Sequence, residues 1–458
     1  MSSCAVIGAG YVGLTTGVWL AERRYMVYII EKQTDKVNEL LSAKSPIDEP
    51  VIKKLLPRFI KSKKIIISEK ISDHFDKCSM FFLCVNTPSN DDGSLNLDFV
   101  KSAVEEFAIN LSTFNGQRST FKILVIRSTV LPGTTEQQII PWIEKVSGKK
   151  YGQDFGVVVN PEFLSEGTAY HQIHNPWRIV LGANDRKSLK YISRLYHGYK
   201  CPIIKVDFRT AEMIKYASNA FLALKISWAN EVANLCSKVG IDAANVMSAV
   251  GLDPRIGKEF LRFGCGFGGS CLPKDTRALL RFAEKYNNTL QIMRSALEVN
   301  NRQPEKVIEI LNTIFPNLEN KKIAVLGLTF KGNTDDVRET CALPIVQSLI
   351  EKKAILFLYD PSGTEKFKML LNQNNNKFNI PVKDIVIYCD TLKEALKEVD
   401  ACIIQNDWTM FKSLRPDDMT GMRNKIIIDC RRVLKPKKFI LRGFAYYSIG
   451  YPNFKIGV

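Results

Sequence analysis

Residues Cys4 to Glu31 admit few folds. Cys4-Ala5-Val6-Ile7 is a short apolar run with strand character, and it leads directly into Gly8-Ala9-Gly10-Tyr11-Val12-Gly13. A helical stretch from Leu14 to Arg23 follows, and a second strand, Met26 to Ile30, ends on Glu31. Strand, glycine turn, helix, strand and acidic end make a complete βαβ unit, which calls for a parallel sheet. Gly8 permits the tight turn, Gly10 lets the backbone approach a pyrophosphate, and Gly13 allows close helix–strand packing. The helix N-terminus faces the phosphates. Glu31 lies 18 residues beyond Gly13. Its carboxylate accepts both ribose hydroxyls and repels a 2′-phosphate, so NAD is favoured over NADP, although Lys32 and Lys36 soften that preference.

More strand-like runs alternate with helical patterns at Ile65-Ile67, Met80-Val85, Lys122-Ile126, Gly156-Val159 and Arg178-Leu181. The alternation predicts a parallel, doubly wound sheet. From Thr210 to about Lys238 the pattern becomes one helical stretch free of Pro and Gly, spanning roughly 40 Å at 1.5 Å per residue. Such a helix between two α/β halves is a candidate subunit interface. A second α/β unit starts at Lys321 and continues through Ala354-Tyr359, Asp400-Ile404 and Lys425-Ile428. It reads as a degenerate copy of the first. Thr329-Phe330-Lys331 stands where a phosphate-cradling turn needs glycines, so a second dinucleotide site is not expected. The expected architecture is two Rossmann-like doubly wound domains joined by a long central helix and a helical dimerisation region. The boundaries are drawn at 1–205, 206–302 and 303–458. The polar, Asn-rich end of Lys366 to Lys377 is given no function.

The chain has 458 residues, too many for a single core. No apolar run is long enough to span a membrane, and the N-terminus lacks a signal-peptide pattern. Eleven cysteines without paired spacing suit a reducing cytoplasm, where most serve as small buried hydrophobes. The absence of a CxxC pair and a count of four His argue against a structural metal. A net charge of +17 has three readings: nucleic-acid binding, a field that attracts polyanionic metabolites, or a lysine-rich solvated surface. The basic residues are dispersed and form no recognition module, which disfavours the first.

Several motifs carry potential chemistry. Val85-Asn86-Thr87-Pro88 and Arg127-Ser128-Thr129-Val130-Leu131-Pro132-Gly133 each follow an apolar strand, at the end where ligands bind in such sheets. Thr129 can hold a water or the cofactor, or merely cap a helix. Asn160-Pro161-Glu162-Phe163-Leu164-Ser165-Glu166-Gly167 also follows a strand. If that segment is helical, its two carboxylates share a face and can transfer protons; surface acids would look the same. Lys215 and Asn219, four apart on the long helix, suit an oxyanion site or an exposed face. Gly264-Cys265-Gly266-Phe267-Gly268-Gly269-Ser270-Cys271-Leu272-Pro273-Lys274-Asp275 places four glycines within six residues just ahead of a thiol. The glycines are expected to let the backbone approach a bound molecule. The thiol can attack an aldehyde, and the adduct can be oxidised to a thioester.

Taken in order, GAGYVG, STVLPG, NPEFLSEG, KYASNAFLA, DPRIGKEFL, GFGGSCLPKD, GLTFKGNTDDVRET and YDP resemble the UDP-glucose/GDP-mannose dehydrogenase family over nearly the whole chain. The wording is nearest to members that act on UDP-glucose. The resemblance implies oxidation of a nucleotide-sugar C6 alcohol to a carboxylate with two NAD per turnover. It implies Cys271 as the nucleophile, Lys215 and Asn219 at the oxyanion, Asp275 and a water near Thr129 for hydrolysis, and Glu162 in thioester breakdown. Cofactor contacts are implied for Gly8, Gly10, Tyr11, Val12, Gly13, Glu31, Lys36, Val85, Thr87, Thr129, Glu166 and Arg338. Substrate contacts are implied for Phe163, Leu164, Lys215, Asn219, Phe267, Gly268 and Lys331. Arg255 resembles an arginine lent to a neighbouring subunit's substrate, which implies a homodimer. No metal, nucleic acid or membrane partner is implied.

Three positions depart from the family pattern. Ser165 replaces a basic residue, Leu272 stands where Phe is common in UDP-glucose enzymes, and Gly332 lies where Pro is frequent. They leave GDP-mannose and UDP-N-acetylhexosamines open as substrates. Further alternatives are a two-electron β-hydroxyacid-type dehydrogenase and a basic nucleic-acid-binding protein.

Overall fold

The computed structural model describes residues 2–114, 121–374 and 382–452. The end of the Asn-rich stretch, 375–377, lies outside the described residues. The chain divides into two compact units, Met1–Ser218 and Asn219–Val458.

The first unit is built on eight strands: β1 (Ser3–Ile7), β2 (Met26–Ile30), β3 (Ile65–Ser68), β4 (Cys78–Leu83), β5 (Lys122–Ile126), β6 (Phe155–Val159), β7 (Ile179–Gly182) and β8 (Ile203–Val206). They lie in the order β3-β2-β1-β4-β5-β6-β7-β8. The order reverses between β1 and β4, which opens a crevice at their carboxyl ends. The sheet is not parallel throughout. β7 pairs antiparallel to β6 through Val159 and Gly182, and β8 then runs parallel to β7. β5 and β6 are buried at every position, as expected for strands covered on both faces. The helix Tyr11–Glu22 is buried from Gly13 to Ala21, and Gly17 lets it settle onto Ile29 of β2.

A 31-residue helix, Phe208–Lys238, spans the point where the units divide. Asp207 caps it, accepting from the Thr210 amide at 2.9 Å and hydroxyl at 2.6 Å.

The second unit holds β9 (Lys322–Leu326), β10 (Ile355–Tyr359), β11 (Val386–Tyr388), β12 (Ala401–Ile404), β13 (Ile426–Asp429) and β14 (Ala445–Tyr447). Their order is β11-β10-β9-β12-β13-β14, all parallel, with the same reversal beside the first strand. The two Rossmann-like sheets and the long helix agree with the sequence-based expectation. β8, β11 and β14 were not anticipated. Each is an edge strand of three or four residues, too short to show a period.

Candidate active site

The glycine turn after β1 is built for close approach. Gly8 has φ +100° and donates to Ile30 O at 2.8 Å, fastening the ends of β1 and β2. A Cβ on Gly13 would fall 1.9 Å from Gly8 O, so only glycine lets the helix start there. A Cβ on Gly10, by contrast, would meet nothing nearer than Asn86 Oδ1 at 3.9 Å. This open cradle at a helix N-terminus fits a pyrophosphate. Glu31 closes the crevice, accepting from the amides of Ala9 (2.9 Å), Lys32 (2.8 Å) and Gln33 (3.0 Å). Tyr11 and Val12 begin the helix, and its hydroxyl directs Tyr11 to Asp48 O at 3.5 Å. Lys36 is half-buried on the helix Thr34–Leu41.

Val85 and Thr87 follow β4, and the Thr129 loop follows β5. Ser128 ties the two together, its hydroxyl donating to Val85 O at 2.7 Å. Thr129 is half-buried. The far end of the loop is held by Glu212 of the long helix, which accepts from Gly133 N (2.6 Å), Thr135 N (3.0 Å) and Thr135 Oγ1 (2.6 Å). Sequence reasoning passed over Glu212. An acid one turn before Lys215 in an apolar helix was the available signal.

Glu162 and Lys215 form a buried pair. Lys215 Nζ donates to Glu162 Oε1 at 2.9 Å and to its carbonyl oxygen at 2.7 Å. Burial pushes the Glu162 carboxyl up, but the Lys215 ammonium and the Leu164 amide outweigh it and hold it below its ordinary value. The helical alternative for this segment fails. Residues 160–165 are irregular, and Glu162 bonds Leu164 N two residues on, a local bond that competes with helix. Glu162 therefore turns inward while Glu166, half-buried in the following turn, does not share its face. Phe163 lies between two cations, Arg178 at 4.0 Å and Lys215 at 5.5 Å from its ring centre.

In the second unit Cys271 is the exposed thiol among the eleven, nine of which are buried and one, Cys201, half-buried. It sits at the N-cap of the helix Leu272–Glu284, whose first turn carries Asp275. That carboxylate is 1% exposed. It accepts from Asn219 Nδ2 at 2.6 Å and from Lys274 Nζ at 2.6 Å. Lys215 and Asn219 are both buried, so the exposed-face alternative does not hold. Negative charge forming at Cys271 lies at the positive end of that helix's dipole.

The glycines ahead of Cys271 let other parts of the chain come close. A Cβ on Gly264 would lie 2.4 Å from Cys430 O, on Gly266 2.9 Å from Asn300 Oδ1, on Gly268 2.0 Å from Glu339 O, and on Gly269 2.7 Å from the Phe330 ring. Their bare backbone makes room for the protein's own chain. Asn300 clamps the loop by accepting from Phe267 N (2.6 Å) and donating to Phe267 O (3.0 Å). Lys331 lies 5.4 Å from the Phe330 ring centre. Arg338 chelates Asp336, with Nη2 to Oδ2 at 2.7 Å. Arg255, on an exposed turn, chelates Asp253 in the same manner. Among the described residues no group of His, Cys, Asp or Glu is arranged to hold a metal. No helix among them is long and apolar enough to cross a membrane.

Three family models match in sequence. Residues 2–200 match the NAD binding domain of the UDP-glucose/GDP-mannose dehydrogenase family, 209–302 its central domain and 324–436 its UDP binding domain. The chain is 37% identical to the UDP-glucose 6-dehydrogenase AglM of Haloferax volcanii, over 97% of this chain and 99% of that protein. It is 35% identical to the UDP-glucose 6-dehydrogenase TuaD of Bacillus subtilis, over 99% and 94%. Among solved structures, a UDP-glucose dehydrogenase from Pyrobaculum islandicum aligns with TM-score 0.88 at 33% identity, covering 98% of each chain. A UDP-D-ManNAc dehydrogenase from Pyrococcus horikoshii aligns with TM-score 0.83 at 27% identity, covering 98% of this chain and all of the other.

Proposed function

Since the chain belongs to the UDP-glucose/GDP-mannose dehydrogenase family and carries its NAD-binding domain, we propose that it oxidises the C6 hydroxyl of UDP-glucose to the carboxylate of UDP-glucuronate. NAD, when bound, accepts one hydride in each of the two oxidations. Gly8, Gly10, Gly13 and Glu31 would hold it, with Val85, Thr87 and Thr129 at the neighbouring strand ends. Glu166, Arg338, Lys36, Tyr11 and Val12 are assigned to the cofactor on the resemblance alone.

The observation that carries the four-electron reading is the exposed thiol of Cys271 at a helix start whose first turn buries Asp275 against Asn219. The first oxidation leaves an aldehyde. Cys271 sulfur adds to its carbon, forming a C–S bond and a thiohemiacetal oxyanion, which Lys215 and Asn219 stabilise with buried N–H donors. Loss of the second hydride leaves a thioester. Water held near Thr129 and Asp275 adds to the thioester carbon, the C–S bond breaks, and the thiol returns. Glu162, kept ionised beside Lys215, is suited to accept the proton that this water releases. Phe163, Leu164, Phe267, Gly268 and Lys331 are assigned to the sugar nucleotide, whose diphosphate suits a chain of net charge +17.

A homodimer is part of the proposal. Phe221, Trp228 and Leu235 recur every seventh residue on the long helix and are 59%, 41% and 60% exposed. An apolar seam of that period is suited to a second copy. Arg255 would then serve the neighbouring site. Sedimentation should give twice the mass of one chain, and Trp228→Asp should give one. The cytoplasm is the proposed location, consistent with eleven cysteines of which none is in a disulfide.

The decisive experiment is the ratio of NADH formed to UDP-glucose consumed. Two is expected, with UDP-glucuronate as product and none from Cys271→Ala. A ratio of one with an active Cys271→Ala variant would establish two-electron chemistry instead. Turnover of GDP-mannose or a UDP-N-acetylhexosamine, with none of UDP-glucose, would reassign the substrate.

A further inference from the structure

A cavity of about 50 Å³ borders the loop that carries Glu162. It is too small for a sugar nucleotide, since sites for such molecules run to roughly 300–1,000 Å³. Glu162 is the one carboxylate among the residues that line it, and Arg127 is one of two cations, with Arg178. Arg127 directly follows β5 and is 5% exposed, which is deep for a guanidinium. Its Nη1 donates to Asn160 Oδ1 at 2.7 Å and to the Tyr196 hydroxyl at 3.4 Å. That hydroxyl donates to the same Asn160 oxygen, and Asn160 Nδ2 donates to Val180 O at 2.9 Å. Asn160 is thus held by Arg127, Tyr196 and β7, two residues ahead of Glu162 and joined to it by Pro161.

Among the described residues the hydrogen bonds of the guanidinium go to neutral oxygens, and its buried Nε makes none. A buried cation in that position needs a negative charge close by. Glu162, on the same cavity wall, supplies it. The benefit is mutual. Burial pushes the Glu162 carboxyl up, Lys215 and the Leu164 amide bring it down, and the Arg127 charge brings it down further. The other titratable groups around Glu162 do not replace Arg127. Burial pushes Cys84, after β4, up to about 12 and raises Tyr196 as well, so both stay neutral at neutral pH. Arg178, ahead of β7, is engaged with the Phe163 ring at 4.0 Å and with Ser218 Oγ at 2.8 Å. Lys215 has a second task, because in the proposed reaction it also serves the oxyanion.

We propose that Arg127 is a positioning residue for Glu162: it fixes the Asn160-Pro161-Glu162 segment through Asn160 and presents a second buried positive charge to the carboxylate. The inference rests on the role in thioester breakdown proposed above for Glu162. While Lys215 is shared with the oxyanion, Arg127 keeps the carboxylate ionised, and the attacking water can pass its proton to a Glu162 oxygen. Arg127 takes no proton itself and stays charged throughout.

The test is the pH profile of UDP-glucuronate formation at saturating UDP-glucose and NAD, with NAD affinity as the check that each variant is folded. Arg127→Gln keeps a donor for Asn160 but loses the charge. The acid limb of its kcat should move up by about half a pH unit or more, an about threefold loss at any pH on that limb. KM for UDP-glucose should change by less than about twofold. In Arg127→Lys the limb should stay within about 0.2 of a pH unit of its wild-type position while kcat falls severalfold, because an ammonium cannot reproduce the guanidinium fork. Tyr196→Phe removes one Asn160 contact and no charge, and should leave the limb in place. A folded Arg127→Gln protein whose limb coincides with that of the wild type overturns the proposal. If Arg127→Gln does not fold, Arg127→Lys decides by itself, and a displaced limb or a wild-type kcat in it overturns the proposal. Glu162→Gln separates this inference from the reading beneath it. Loss of acid formation in Glu162→Gln, with an unmoved limb in Arg127→Gln, removes Arg127 alone. Normal acid formation in Glu162→Gln removes Glu162 as the base, and the inference with it.

Discussion

Gly8 and Gly327 close the first strand of their sheets in the same conformation, with φ +100° and +90°. Each donates to the last residue of the second strand, at 2.8 Å to Ile30 O and Tyr359 O respectively. In both, a carboxylate follows that strand and accepts the next amide: Glu31 from Ala9 at 2.9 Å, Asp360 from Leu328 at 2.8 Å. Beyond these bonds the two turns part. The first helix begins at Tyr11, whereas after Gly327 the helix waits until Ala342. Gly10 faces open space, but Thr329, in the matching place, turns its hydroxyl to Asp360 at 3.1 Å and accepts from Asn406 at 2.9 Å. Trp408 Nε1 also donates to Asp360, at 3.0 Å. One skeleton thus yields a cradle where the turn is left empty and a scaffold where the chain fills it. Asp360 accepts six hydrogen bonds from its own chain where Glu31 accepts three, so Glu31 keeps more capacity for a ribose.

Substitution of the third glycine should separate the two turns most sharply. Gly13→Ala puts a Cβ 1.9 Å from a backbone oxygen that cannot move without breaking the turn. NAD affinity, measured by calorimetry, should fall by about 100-fold or more, equivalent to about 3 kcal/mol. In Gly332→Ala the new Cβ would lie 2.5 Å from Trp408 N. That variant should lose thermal stability and keep its NAD affinity. An equal loss of NAD binding in both variants would break the comparison.

The two carboxylates extend the test. Asp360→Ala strands the donors of Leu328, Thr329 and Trp408, together with those of Ser362 and Gly363. Bonds to a charged group cost roughly 2–3 kcal/mol when a buried partner is left behind, so chemical denaturation should show at least about 3 kcal/mol lost. NAD affinity should not change. Glu31→Ala should do the reverse, with about tenfold weaker NAD binding, a reduced preference over NADP and a smaller loss of stability. An unchanged cofactor preference in Glu31→Ala would remove Glu31 from the ribose.

How much of this was legible depended on how local the cause was. The first turn could be read because its glycines and Glu31 act within one βαβ unit, at fixed spacing. The failure of the second turn was also legible, since Thr329 stands where the second glycine is required. What fills that turn was not, because Asn406 and Trp408 arrive from beyond β12, far along the chain. What packs against the glycines before Cys271 was hidden for the same reason. Their partners, Phe330, Glu339, Asn300 and Cys430, are brought in by folding, and sequence cannot tell space kept for a ligand from space kept for the chain. Glu162 illustrates a local cause overlooked: its bond to Leu164 N after Pro161 excludes the helix that spacing alone suggested.

Loops at the open crevice need outside support, and the smallest effect tests that difference. In the second unit Asp429 holds the turn that follows it, accepting from Arg431, Val433 and Leu434 amides close by in sequence. In the first, the Thr129 loop depends on Glu212, reaching in from the long helix. Burial pushes the Glu212 carboxyl up to about 7 from 4.5, with its Thr135 and Gly133 donors opposing and the Glu136 charge adding to the rise. In the unfolded chain it ionises near its ordinary value. Its contribution to stability is therefore complete below about pH 4.5 and is lost as pH rises through about 7, because only the unfolded state releases the proton easily. At 1.36 kcal/mol per unit, the loss between about pH 6 and about pH 7.5 is about 1 kcal/mol. Urea denaturation across that range should show this slope in the wild-type protein and a flatter one in Glu212→Gln. The amide retains an acceptor for the loop, so KM for NAD should stay within about twofold, a free-energy difference of about 0.4 kcal/mol. An unaltered pH slope would remove Glu212 as its source, and a large rise in KM would show that the ionised carboxylate itself is needed to hold the open loop.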